Sequence, residues 1–93
     1  MALILNNQSV QLIDIKAIQL DCSDIDVHEI FMLSDDIEEN GLQSPIMLDK
    51  EGDKYRIMDG RKRVCAFNLL SNSYIMSMND QWSFIPAMVM EPN

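Results

Sequence analysis

Tyr55-Arg56-Ile57-Met58-Asp59-Gly60-Arg61-Lys62-Arg63-Val64-Cys65-Ala66-Phe67-Asn68-Leu69-Leu70 decides how the rest of the chain is read. The spacing predicts a short strand, a turn at Asp59-Gly60 and a helix to about Leu70, with Asp59 as its N-cap. Ala66, Leu69 and Leu70 keep helical spacing, and Val64, Cys65 and Phe67 widen the apolar face. Three cations, Arg61, Lys62 and Arg63, fall in the first turn. A helix N-terminus carries a partial positive charge from unpaired N–H groups and favours anions, so this placement is unfavourable by itself. Binding a phosphate or carboxylate removes the conflict, because free N–H groups, a glycine and cationic side chains together make an anion site. Pairing with the chain's own acids would remove it too. Local inconsistency tends to mark function, so the expectation is an anion site.

Upstream, Glu51-Gly52-Asp53 is a hairpin signal. It joins the alternating stretch 54–58, with Tyr55 and Ile57 on one face, to an antiparallel partner at Ile46-Met47-Leu48. Pro45 blocks helix and biases Ser44 to extended backbone. Before that, the sequence predicts a helix over 27–39. Asp26 is the N-cap, Glu29 stands at capping-box spacing, and Val27, Ile30, Phe31, Leu33 and Ile37 form the apolar stripe. Gly41 suits the left-handed position that closes it. Asp35, Asp36, Glu38 and Glu39 oppose the helix dipole at its C-terminal end and offer counter-charge for the basic turn; the acidic half of the chain reads most simply as a solvated face, with docking to a basic partner as the sharper alternative. Residues 10–15 read as a first strand with Val10, Leu12 and Asp14 on one face; 16–20 either extend it or turn out of it. Asp21-Cys22-Ser23-Asp24 is turn-like, with Cys22 a buried or half-buried thiol. Downstream, Ser71-Asn72-Ser73 is a loop, 74–78 is ambiguous, Asn79-Asp80 is a turn, and 82–90 is a last strand with Pro86 at an edge or at its start. Met47, Met58, Met88 and Met90 fall on strands and are expected to fill gaps in a small core.

Ninety-three residues suffice for one small domain with a modest core. No apolar run approaches the ~18 residues that span a bilayer, and the start of the chain lacks the basic region of a signal peptide, so the expected location is the cytoplasm. Two cysteines, Cys22 and Cys65, match neither a metal cluster nor a disulfide framework. The net charge of −8 argues against broad DNA binding by this chain alone. Yet six of the seven cations lie within 50–63, against three acids there, so an anion-attracting surface is concentrated in an acidic protein.

Three blocks give a family resemblance. Glu39-Asn40-Gly41-Leu42-Gln43-Ser44-Pro45-Ile46 is similar to a block ending Gly-Leu-x-x-Pro-Ile; Gly60, Arg61, Lys62, Arg63 and Ala66 resemble a Gly-x-Arg-Arg-x-x-Ala box; Ile85-Pro86-Ala87-Met88-Val89 resembles a closing Val-Pro-x-x-Val strand. In this order they resemble the ParB/sulfiredoxin-like superfamily, above all the N-terminal domain of ParB proteins. The resemblance implies an α/β fold of mixed α+β type: a small mixed sheet of about four strands with two main helices. It covers 9–90, with 1–8 as a lead-in and 91–93 as a tail.

The resemblance also implies a ligand. ParB domains bind cytidine triphosphate through the basic box, so a CTP-like nucleoside triphosphate with Mg is the implied cofactor. By position, Gly60, Arg61, Lys62 and Arg63 would hold phosphate, Gly41, Leu42, Gln43 and Ser44 would border the nucleotide, and Asp59 counts among the cofactor-binding residues. The ParB pattern continues into a metal-binding motif, a DNA reader and a dimerisation domain, which do not follow before Asn93; binding without catalysis is therefore the expectation. Sulfiredoxins carry a catalytic Cys just after the equivalent Gly, where this chain has Arg61. Serine-kinase members use a Glu before the first helix, roughly where Glu29 stands, and a His in the Gly box, which is absent here. Two alternatives stay open: an interaction module docking through the acidic first helix, and a small kinase or a nuclease.

Overall fold

The structure is a computed structural model that describes residues 10–73 and 82–90. Along the chain run β1 (Val10–Asp14), a 3-10 turn (Ile15–Ala17), β2 (Ile18–Gln19), α1 (Val27–Asn40), β3 (Ile46–Glu51), β4 (Lys54–Asp59), α2 (Arg61–Ser73) and β5 (Phe84–Met90). The strands form one mixed sheet in the order β1-β5-β3-β4-β2. The expectations for 1–8, 74–78, Asn79-Asp80 and 91–93 lie outside the described residues.

The sheet has five strands rather than about four because 16–20 is both turn and strand. Asp14 Oδ1 accepts the Lys16 N–H at 2.9 Å and caps the 3-10 turn. Ile18 and Gln19 then pair parallel with Tyr55 and Arg56. β3 and β4 form the expected antiparallel hairpin, closing at Glu51↔Lys54. β3 also runs parallel to β5, and β5 antiparallel to β1. Pro86 lies within β5, an interior strand. Its missing N–H is tolerated because the ladder to β3 begins only at Ala87, which leaves β1 as the strand beside Pro86.

Alternate residues are buried at the start of β3, Ile46 and Leu48, and along β5, Ile85, Ala87 and Val89. Against them α2 packs Val64, Ala66, Phe67 and Leu70, and α1 packs Ile37. The Phe67 and Trp82 rings meet edge to face with centroids 5.3 Å apart. This alternation overturns the core assignment of the methionines. Met47, Met88 and Met90 are half-buried and alternate with buried residues, and Met58 is exposed beside the half-buried Ile57, so they belong to the other face of the sheet. Val10 and Leu12 share that outward character, and Ile13 is the β1 residue in the core.

Asp26 caps α1 by accepting the His28 N–H at 2.8 Å, and the Gly41 N–H closes the helix on Ile37 O at 2.7 Å, with Gly41 at φ +80°. The inward stripe of α1 is narrower than the set expected: Ser34 and Ile37 are buried, and Ile30 and Leu33 are partly buried against the core. Val27 and Phe31 stand further round the helix and are exposed. Helix α2 continues to Ser73, so Ser71 and Asn72 are helical rather than loop. No helix among the described residues is long and apolar enough to cross a membrane.

Candidate functional site

The turn between β4 and α2 is built around Gly60. Its backbone has φ +101°, and its carbonyl accepts the Val64 N–H at 2.9 Å, which makes it the residue that opens the helix. Asp59, expected as the N-cap, is the last residue of β4. A Cβ on residue 60 would lie 2.8 Å from Ile46 Cγ2 and 3.0 Å from Arg63 Nη2. Only glycine satisfies both the backbone sign and the space.

Successive helical residues point roughly 100° apart, so the three cations fan out. Arg61 reaches the loop before α1. Its Nη1 donates to Asp24 Oδ1 at 2.6 Å and to Asp21 O at 2.9 Å, and its Nη2 to Asp24 Oδ2 at 2.9 Å. Lys62 Nζ meets Glu29 Oε2 at 2.8 Å. Arg63 turns the other way: Nη1 donates to Ser44 O at 2.9 Å, and Nη2 lies 3.4 Å from Asp59 Oδ2. Each cation of the turn thus has a carboxylate of its own chain. The counter-charges come from Asp24, Glu29 and Asp59, not from the acids at the far end of α1 for which the sequence argued. The Arg61 guanidinium holds the Asp24 carboxyl below its ordinary range, and Asp24 in turn raises Arg61. Asp21 is lowered chiefly by the Ser23 N–H, which its Oδ1 accepts at 3.0 Å.

The expected site residues therefore divide. Gly41, Leu42, Gln43, Ser44 and Arg63 come together around one depression of about 280 Å³, with Leu33 and Asp36 on its rim. Gln43 Nε2 donates to Asn40 O at 2.7 Å and ties the loop to the end of α1. Arg61 borders a separate depression with Gln19, Asp21 and Arg56. Lys62 faces the start of α1, where Glu29 is its partner rather than the second half of a capping box. Among the described residues, no three His, Cys, Asp or Glu converge as a metal site.

The sequence reading missed the loop 21–26. Asp21 and Asp24 carry no motif; the available signal was two acids in a polar turn of a chain whose cations need partners. Cys22 and Cys65 were expected as separate thiols. They form a disulfide, with Cα atoms 6.0 Å apart. A spacing of 43 residues hides this, because only the folded chain returns α2 to the loop.

The family model described as ParB N-terminal domain matches residues 1–92. No curated protein sequence matches the chain. Among solved structures, sulfiredoxin from Arabidopsis thaliana is similar at 17% identity and a TM-score of 0.67, over 89% of this chain and 85% of that one. The C-terminally truncated chromosome-partitioning protein ParB from Caulobacter crescentus, complexed with CTP-gamma-S, is similar at 20% identity and a TM-score of 0.65, over 91% of this chain and 46% of that one. C-terminally truncated SbnI from Staphylococcus aureus is similar at 16% identity and a TM-score of 0.66, over 87% of this chain and 30% of that one. At these identities the likeness is one of fold. The chain spans less than half the length of the ParB and SbnI chains it matches.

Proposed function

The chain belongs to the ParB N-terminal domain family, and from that premise we propose that it binds a nucleoside triphosphate, CTP-like, without catalysing a reaction on its own. Residues 9–90 are the binding unit in this reading. The phosphates lie at the Gly60–Arg63 turn and the nucleoside against the 41–44 loop.

One observation carries the reading: three consecutive cations open a helix of thirteen residues, and one of them, Arg63, holds the 41–44 loop beside that turn. The ion pairs already present there do not close the site. Their side chains are well exposed, 44% for Arg61 and 64% for Asp24, 60% for Lys62 and 51% for Glu29. Exposed pairs are worth about 0–1 kcal/mol each, and a polyanion can displace them with shorter charge-assisted bonds. The ParB relative with CTP-gamma-S bound supports the ligand class. Among the described residues no three His, Cys, Asp or Glu converge, so an accompanying Mg would draw mainly on the phosphates and water, and no step is assigned to it.

Titration calorimetry with CTP, ATP, GTP and inorganic triphosphate tests this. Arg61→Ala and Lys62→Ala are each expected to weaken binding roughly tenfold, and added salt to weaken it further. Heat of binding absent for every ligand with the unaltered protein would overturn the reading.

A second reading rests on a different observation. Val27, Phe31 and Met32 are exposed on α1 in a helix that also carries Asp35, Asp36, Glu38 and Glu39. An apolar patch with acids around it suits a basic amphipathic partner segment. Phe31→Ser with Met32→Ser would abolish capture of such a segment while leaving nucleotide binding intact.

A further inference from the structure

Resting on the triphosphate-binding reading, we propose that the Cys22–Cys65 disulfide is a redox gate on that site: oxidised, it locks the 21–24 loop onto Arg61, and reduced, it frees Arg61 for phosphate.

Arg61 and Cys65 are four residues apart, one turn along the same side of α2. Both hold the same loop. Arg61 takes the Asp21 carbonyl and the Asp24 carboxylate, and Cys65 takes Cys22. The loop between these contacts is tied together internally. Ser23 N and Oγ both donate to Asp21 Oδ1, at 3.0 and 2.7 Å, and the Ile25 N–H donates to Cys22 O at 3.1 Å. Anchoring Cys22 therefore anchors Asp21 and Asp24.

The consequence is one of effective concentration. An exposed Arg–Asp pair is a weak competitor of phosphate when its partners are free to separate. Here the covalent bond keeps the carboxylate at the guanidinium, and an incoming phosphate must displace a group that cannot diffuse away. After reduction the loop must be ordered anew each time the pair forms, and the competition weakens.

The chemistry needs a dithiol reductant. Its thiolate attacks the Sγ of half-buried Cys22, the S–S bond breaks, and Cys65 leaves as a thiolate that takes up a proton. The second thiol of the reductant then attacks the mixed disulfide and releases Cys22 as a thiol. Two electrons and two protons pass to the protein, and the dithiol leaves as a cyclic disulfide.

The test titrates CTP into the full chain, air-oxidised and then reduced with dithiothreitol. Non-reducing peptide mapping defines each state, and hydrogen exchange of residues 21–26 is followed without ligand. Reduction is expected to tighten CTP binding at least about threefold and to speed exchange across 21–26. Cys22→Ser should bind like the reduced protein and ignore dithiothreitol. Asp24→Asn keeps the disulfide, so it does not depend on a cysteine variant folding; when oxidised, it should already bind at the reduced affinity. Equal CTP affinity in both states, or free thiols in the air-oxidised protein, overturns the gate and leaves the binding reading standing. Unchanged exchange in 21–26, or an oxidised Asp24→Asn that binds no better than the unaltered protein, also overturns the gate alone. Absence of binding in both states and in Asp24→Asn overturns the triphosphate reading, and the gate with it.

Discussion

Ile46 Cγ2 occupies the space that a side chain on residue 60 would need, 2.8 Å from where its Cβ would lie. Ile46 is fully buried at the start of β3, so it cannot swing aside. The chain's one glycine at the mouth of α2 is thus held there by packing as well as by its backbone.

Gly60→Ala is expected to lower stability by about 2–3 kcal/mol, from overpacking and an unfavourable positive φ together. Gly41→Ala meets no atom within 4 Å and should cost only the backbone part. Urea denaturation of the two variants side by side measures the difference; equal losses would show that Ile46 yields.

Reduction of the disulfide is expected to lower the unfolding free energy by about 2–4 kcal/mol, since a cross-link spanning 43 residues restricts the unfolded chain over nearly half its length. Denaturation with and without dithiothreitol measures this, and the Cys22→Ser variant, altered at the half-buried partner, should come close to the reduced protein. A midpoint indifferent to reductant would contradict it.

Asp24 should titrate below the ordinary aspartate value of ~3.9, because Arg61 stabilises its charged form. The sign follows: what the pair contributes to stability is complete above that ordinary value and is lost as pH falls through the lowered one. Carboxyl carbon NMR from pH 6 to 1.5 should show this, with Asp24→Asn removing the same part of the acid dependence. Nothing in this pair should respond between pH 6 and 8.

Asp26→Ala removes the acceptor of the His28 N–H and should cost about 1 kcal/mol. Asp26→Asn should recover most of it, measured as thermal midpoint.

Arg63→Ala should loosen 41–45, because the guanidinium donates to the Ser44 carbonyl across 19 residues of sequence. Faster amide exchange there, with β3 and α2 unchanged, is the expected result. Unchanged exchange would show that the Gln43–Asn40 bond alone holds the loop.

Much of the fold was legible because it is written in local signals. Asp26, Gly41 and Glu51-Gly52-Asp53 mark ends and turns by backbone chemistry that does not depend on the rest of the chain. β2 was not legible, since two residues carry no periodicity. The face of β1 was ambiguous because Val10 and Leu12 alternate with Gln11 and Ile13, and only the fold shows which set points inward. The methionines misled for a related reason: an apolar residue on a strand is as compatible with the outer face as with the core. At the candidate site, Gly60 and its three cations stood out, and the Ser44 loop followed by resemblance. Asp24, Glu29 and the Cys22–Cys65 bridge were hidden because each joins residues more than thirty apart, and such proximity is a property of topology rather than of any short stretch.

The shortness of β2 has its own effect on how this protein meets other copies of itself. A foreign strand arriving at that margin would find two residues to zip against before the backbone veers into the 21–26 bend. So brief a template is a poor seed for intermolecular β-sheet growth. Arg61 shares a depression with Gln19 of β2, so the flank that displays the basic turn to solvent offers a stray strand only that brief template.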